Sequence, residues 1–216
     1  MAKTLSKSPA QTSQKSSASN AAAPSSLASL SKQAIGSYQE VSSAAQAATK
    51  SSHLPIFTFK VPAGKTELIK LDQPGEYHVE LVGSGAHADI QGSFLAQGKD
   101  EVEINLYIVH KAPHTSAQTM MKGVALDQAR VRFFGRIMIE PGCPDTQSFL
   151  EERILLLSDQ AKAEAVPELE ILSDDVKCSH AASISRIPVE HLFYLQSRGI
   201  SAKAAEQLIV DGFLEL

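Results

Sequence analysis

A mainly β fold is predicted, with a polar tail before it and a short helical region after it. Three observations carry that prediction. From His53 to about residue 157, apolar and polar residues alternate in short runs. Gly- and Pro-centred turn signals separate the runs, often about every ten residues. After Pro188 the apolar period changes to that of a helix. A strand face repeats at every second residue, whereas a helix face repeats three and four residues on.

Residues 1–52 are built from Ser, Ala, Gln, Lys and Thr, with few large apolar side chains. Such a segment cannot bury enough surface to offset its ordering entropy, so it is expected to be disordered. Leu27, Leu30, Ala34 and Tyr38 recur at helical spacing and predict a weak helix there. No acidic residue precedes Glu40, as in a transit peptide, but arginine and a clear cleavage signal are missing. A plain flexible tail is the favoured reading.

The β region, 53–187, opens at His53-Leu54-Pro55. Its strand candidates are IFTFKV, TELIKL, EYHVELV, ADIQGSF, EVEINLYIV, RVRFFGRIMI and ERILLL. In the fifth, Val102, Ile104, Leu106 and Ile108 fall on one face. Turns are marked by Pro62-Ala63-Gly64, Gln73-Pro74-Gly75, Gly83-Ser84-Gly85, Gly98-Lys99-Asp100 and Pro141-Gly142. On pattern alone a sandwich, a barrel and a β-helix remain equally open, and no tight sequence repeat decides among them.

Two helices are predicted in 188–216. Pro188 suits a first turn, and Gly199 suits a C-terminal stop. Ser201 can cap the second helix, whose Ala205, Leu208, Ile209 and Phe213 share a face. So short a pair must pack on the β body, on a partner, or on both.

Composition excludes several function classes. A net charge of −4 with no basic–aromatic cluster argues against nucleic acid and anionic membranes. No apolar run approaches the ~20 residues that span a bilayer. Two cysteines among 216 residues cannot make a disulfide scaffold and suit a reducing cytoplasm. Gly83-Ser84-Gly85 lacks the lysine and helix of a phosphate loop, and no Walker motif occurs, so ATP hydrolysis would need another subunit.

The chemistry concentrates in LEILSDDVKCSHAASISRIPVEHLFYLQSRG, residues 169–199. If this stretch is extended, Cys178 and His180 share a face, and a thiolate beside an imidazole suits iron, zinc or copper(I). A buried structural thiol is the competing reading of Cys178. Asp174 and Asp175 would point opposite ways on a strand and are read as turn residues. His110 and His114 flank Lys111-Ala112-Pro113, where Pro113 disfavours the helix that would bring them together. Cys143 is read as a turn cysteine that could oxidise if exposed.

Residues 110–216 resemble the SufB/SufD family, the β-helical scaffold subunits of the SUF iron–sulfur cluster assembly system. The likeness is densest at LEILSDDVKCSH, LFYLQSRGIS and AAEQLIVDGFLEL, and looser across 125–159. The chain looks like a short SufD-like member. It has Ala181 where the family commonly has Gly, and no cysteine in 159–167. The resemblance implies a right-handed parallel β-helix with a terminal helical pair, 188–216, that docks a SufC-like ABC ATPase. It implies a SufB-like subunit, or a second copy, across the β-helix. It also places Cys178 and His180 near a transient iron–sulfur cluster at that subunit interface, candidate metal ligands in a scaffold rather than an enzyme. Flavin, bound by assembled family complexes, has no supporting motif here. The alternatives are a metal-dependent enzyme using His110, His114 and His180, and a structural pseudo-subunit that regulates the ATPase complex.

Overall fold

Alternation makes strands only if each finds somewhere to bury its apolar face, and here every face turns toward a common interior. The structure, a computed structural model, describes residues 54–216. The tail, its expected helix and its boundary with the β region lie outside the described residues. Ten strands follow in order: β1 (Ile56–Val61), β2 (Thr66–Leu71), β3 (Gly75–Leu81), β4 (His87–Ala96) and β5 (Glu101–His110), then β6 (Ser116–Ala125), β7 (Arg130–Ile139), β8 (Thr146–Leu156), β9 (Lys162–Ile171) and β10 (Val176–Arg186). Two helices close the chain, α1 (Val189–Ser197) and α2 (Ala202–Leu214).

Odd-numbered strands form one five-stranded sheet, in the order β1-β3-β5-β7-β9; even-numbered strands form the other, β2-β4-β6-β8-β10. All eight pairings are parallel. The chain is thus a parallel β-solenoid of about four turns, with both sheets facing one core. This is the β-helix that the resemblance implies, and the sandwich and barrel readings fall away. Stacked side chains lie 29 to 32 residues apart in sequence: Arg132 donates to Glu103 at 2.6 Å and to Glu164 at 3.1 Å along one outer face. The first coil is tighter, with Ile56 opposite Glu76 and Thr66 opposite His87.

Inward residues supply the core. On β5 these are Val102, Ile104, Leu106 and Ile108, the face expected from alternation, with buried His110 in phase behind them. Three strands are not among the strand candidates: β10, read only conditionally as extended, and β6 and β9. β6 reads SAQTMMKGVA, whose inward Ala117, Thr119 and Met121 are too varied to stand out. β9 contains Pro167, tolerated because β9 is an edge strand bonded only to β7.

Turns stack as the strands do. His114, Asp145 and Asp175 all adopt positive φ, at 58°, 52° and 55°. His114 N–H donates to the Pro144 carbonyl at 3.0 Å, and Asp145 N–H to the Asp175 carbonyl at 2.8 Å. Backbone pairing therefore continues around the corner, and Asp175 takes the turn role expected of it.

At the C-terminus, Pro188 stands just before α1, and Gly199 follows it at φ 86°. Ser201 Oγ caps α2 by accepting from Ala204 N–H at 3.3 Å. α2 lies on the outer face of the even sheet, where Val210 and Leu214 pack with Val124 and Leu155. Its last carbonyls accept from Ser93 Oγ at 2.8 Å and Lys122 Nζ at 2.6 Å. The buried face is rotated from the expected one: Ala205 is buried, but Leu208 stays 53% exposed. The even sheet supplies the reason, since Val124 and Leu155 receive the side that carries Val210 and Leu214. α1 buries no residue and leaves Val189, Phe193 and Tyr194 exposed.

Candidate functional site

Cys178 and His180 are on β10, the last strand, in an extended conformation and therefore on one face. That face turns into the solenoid. Register sets Cys178 opposite Ser148 and His180 opposite Leu150 on β8. The imidazole side chain is only 2% exposed, and its Nε2 lies 3.5 Å from Oε2 of Glu152, whose side chain is fully buried. At that separation the two groups make no proper hydrogen bond. Both nitrogens of His180 and both oxygens of Glu152 lack a hydrogen-bond partner, as do Ser148 Oγ and Thr119 Oγ1 nearby in the register.

Gly135 makes room for this pair. It faces inward from β7, and a Cβ there would lie 2.7 Å from Glu152 Oε1 and 2.9 Å from His180 Cε1. That Cβ would also lie 2.5 Å from Leu150 Cδ2, so any side chain at 135 would push on Leu150 as well as on the two polar groups.

Cys178 is half-buried among core side chains. Burial raises its thiol pKa, so the sulfur is protonated near neutral pH. A soft metal ion would convert it to a thiolate ligand by displacing the proton.

The other candidates separate. His110 Nδ1 pairs with Thr115 Oγ1 at 2.8 Å inside the core, and burial pushes its pKa down to about 4. His114 lies in an exposed turn, 3.0 Å from Asp145 Oδ2. Among the described residues no three His, Cys, Asp or Glu side chains converge as metal ligands. The three histidines of the enzyme reading therefore share no centre. Cys143 is in a turn, as expected, but is buried, with Sγ 3.6 Å from the His110 carbonyl. Its thiol pKa is also raised, chiefly by burial and then by Glu140. Both cysteines are free thiols.

Sequence reasoning missed Glu152. It was readable only as the start of the ERILLL strand. The available signal was its phase, since it alternates with inward Leu150 and Ile154.

A family model described as the SUF system FeS cluster assembly, SufBD core domain, matches residues 64–213. The chain belongs to the SufBD family. An iron-sulfur cluster assembly protein SufD of Bacillus subtilis is 34% identical over 143 residues, covering 66% of this chain and 33% of that protein. Iron-sulfur cluster assembly SufBD family proteins of Staphylococcus saprophyticus and Staphylococcus aureus are each 32% identical over 136 residues, covering 62% of this chain and 29% of theirs. The chain thus spans about a third of the length of these SufBD relatives. The matched region takes in the Cys178–His180 strand, Glu152, Gly135 and most of both terminal helices.

Proposed function

We propose that this SufBD chain is a scaffold subunit for iron–sulfur cluster assembly, with the nascent cluster as its transient cargo. The observation that carries the reading is the placement of Cys178 and His180 on β10, an edge strand paired on one side only. One cysteine and one histidine leave most of a cluster's ligands to another chain, and an open parallel edge is where another chain can add. A SufB-like subunit or a second copy would supply the rest. Leu169, Ile171 and Leu172 at the end of β9, and Ile184 on β10, expose apolar surface at the same end.

The helical pair supports a second partnership, with a SufC-like ABC ATPase. α2 is anchored on the even sheet, which leaves Phe193 (72% exposed) and Tyr194 (57%) on α1 as a free apolar face. A face of this kind suits helix-in-groove docking. Energy for assembly would then come from the ATPase, and this chain would act by holding ligands in place rather than by catalysis. Two free thiols fit work in a reducing cytoplasm. Among the described residues, no helix is long and apolar enough to cross a membrane.

The test is cluster maturation in cells that depend on this chain. Cys178→Ala combined with His180→Ala should abolish maturation while leaving capture of the ATPase intact. Undiminished maturation would sink the site assignment. An ATPase that never co-purifies with the wild-type chain would sink the partnership.

A further inference from the structure

We infer that the open C-terminal end of the solenoid is covered by this chain's own N-terminal tail, through the apolar positions Leu27, Leu30, Ala34 and Tyr38. The two ends of the core are finished differently. At the first coil, inward Val61, Ile69 and Leu71 are at most 3% exposed, although among the described residues no strand stacks beyond them. The tight coil closes over its own interior, and exposed Ile56 and Leu68 fall in the outward phase of their strands. At the last coil the inward phase continues and then stops in water. Leu169 stacks on Ile137, Ile171 on Ile139 and Ile184 on Ile154. Those three partners are at most 1% exposed, whereas Leu169, Ile171 and Ile184 are between 42% and 47% exposed. Exposed Leu172 extends this apolar end past β9. An uncovered core cross-section is what a terminal capping element hides in a stacked-coil protein.

Spacing, length and charge name the occupant. The four tail residues recur at helical spacing, and a helix over 27–38 would be about 18 Å long. Fifteen residues, 39–53, separate it from Leu54 and can span up to about 50 Å. From β1 to β9 is four strand spacings, roughly 19 Å, so the linker reaches the far end with slack. Residues 1–53 hold five lysines and one acidic residue, whereas 54–216 hold fifteen basic and twenty-three acidic residues. At the open end Glu170, Asp174 and Asp175 flank the exposed apolar run, and in the tail Lys32 lies within the apolar series. Opposite charges around an apolar contact steer the tail to this end. The cover would occupy the surface proposed for the partner subunit, so the tail must leave before that subunit seats. It rests on the exposed core and the tail's charge, not on the cluster reading.

The probe is the photo-crosslinker p-benzoylphenylalanine, put in place of Tyr38 in the full chain and activated in dilute monomer. Adducts should form within one chain and map to 169–186. Leu27→Asp combined with Leu30→Asp should cut their yield about fivefold or more, and Lys32→Glu should lower it less. In hydrogen exchange the same double variant should speed β9 and β10 about fivefold and leave β1 and β2 as in wild type. Unchanged protection in β5 to β8 would show that the variant's body is folded. Adducts confined to other surfaces, adducts only between two chains, or no adducts overturn the cover. So does exchange in β9 and β10 that the double variant leaves unchanged. If adducts map to 169–186 but Cys178→Ala with His180→Ala still matures clusters, the site assignment fails and the cover stands. If adducts fail while that variant abolishes maturation, the cover fails and the scaffold reading stands.

Discussion

Burying an imidazole without a charge partner forces it to stay neutral, and His110 does so at the end of β5. Its ring is fully buried and bonded only through Nδ1 to Thr115. Burial takes its pKa from 6.5 down to about 4. The unfolded chain therefore binds a proton that the folded chain refuses. The resulting stability is fully present above pH 6.5 and is lost as the pH falls from there through 4. Over that window this one group should cost about 3 kcal/mol. Denaturant melts at pH 7 and pH 4.5 should show the loss, and His110→Gln should flatten it. Cys178 shifts for the same reason and in the same physical sense, toward its neutral form. Both residues illustrate how the core holds polar chemistry uncharged until a counter-charge arrives.

At the scale of elements, the two helices divide their work. α2 spends its apolar side on the even sheet, with Phe213 also lying under the Arg153 guanidinium. α1 spends none. Leu214→Ala should therefore lower stability by about 2 kcal/mol, the low end for a leucine truncation because the satellite cluster is small. Phe193→Asp should leave the melting temperature within a degree or two of wild type. If α1 docks the proposed ATPase, Phe193→Asp should lose it in a pull-down. Equal effects of both substitutions on stability would mean that α1 is packed as tightly as α2. Point substitutions separate these roles better than removing the helices, which would uncover Val124 and Leu155.

For the whole molecule, each coil touches only its neighbours, so stability is shared along a line. Strands β3 to β8 are paired on both sides, with β5 to β8 farthest from the short first coil, whereas β1, β2, β9 and β10 are paired on one. Hydrogen exchange should thus be slowest in β5 to β8 and faster toward both ends. Adding the proposed partner subunit should slow exchange in β9 and β10 but leave β1 and β2 unchanged. Slowing at the β1–β2 end instead would place the subunit interface on the opposite end of the solenoid from Cys178.

Local pattern went far in this chain because it reports what each residue does relative to its own neighbours. Period-2 alternation located β5 and its inward face, turn chemistry located Gly64, Gly85, Gly98 and Gly142 at positive φ, and Ser201 marked the start of α2. The DDVKCSH run put Cys178 and His180 on one face. Pattern failed wherever a residue's meaning depends on the next coil. The roughly 30-residue period leaves no sequence repeat, since any apolar side chain can fill an inward position. β6 and β9 went unread because polar or proline-bearing strands are stabilised by neighbours rather than by their own composition. Alternation would place Glu152 on the inward face, yet only stacking shows that His180 lies beside it and that Gly135 leaves them room.

By itself, then, the sequence determined the strand faces, the turns, the helical end and the family, because these follow from short-range periodicity and motif. The tertiary structure alone decided the ~30-residue coil, the rotation of α2, the separation of the three histidines and the pairing of Glu152 with His180. Those depend on through-space contacts between residues distant along the chain, which no local pattern encodes.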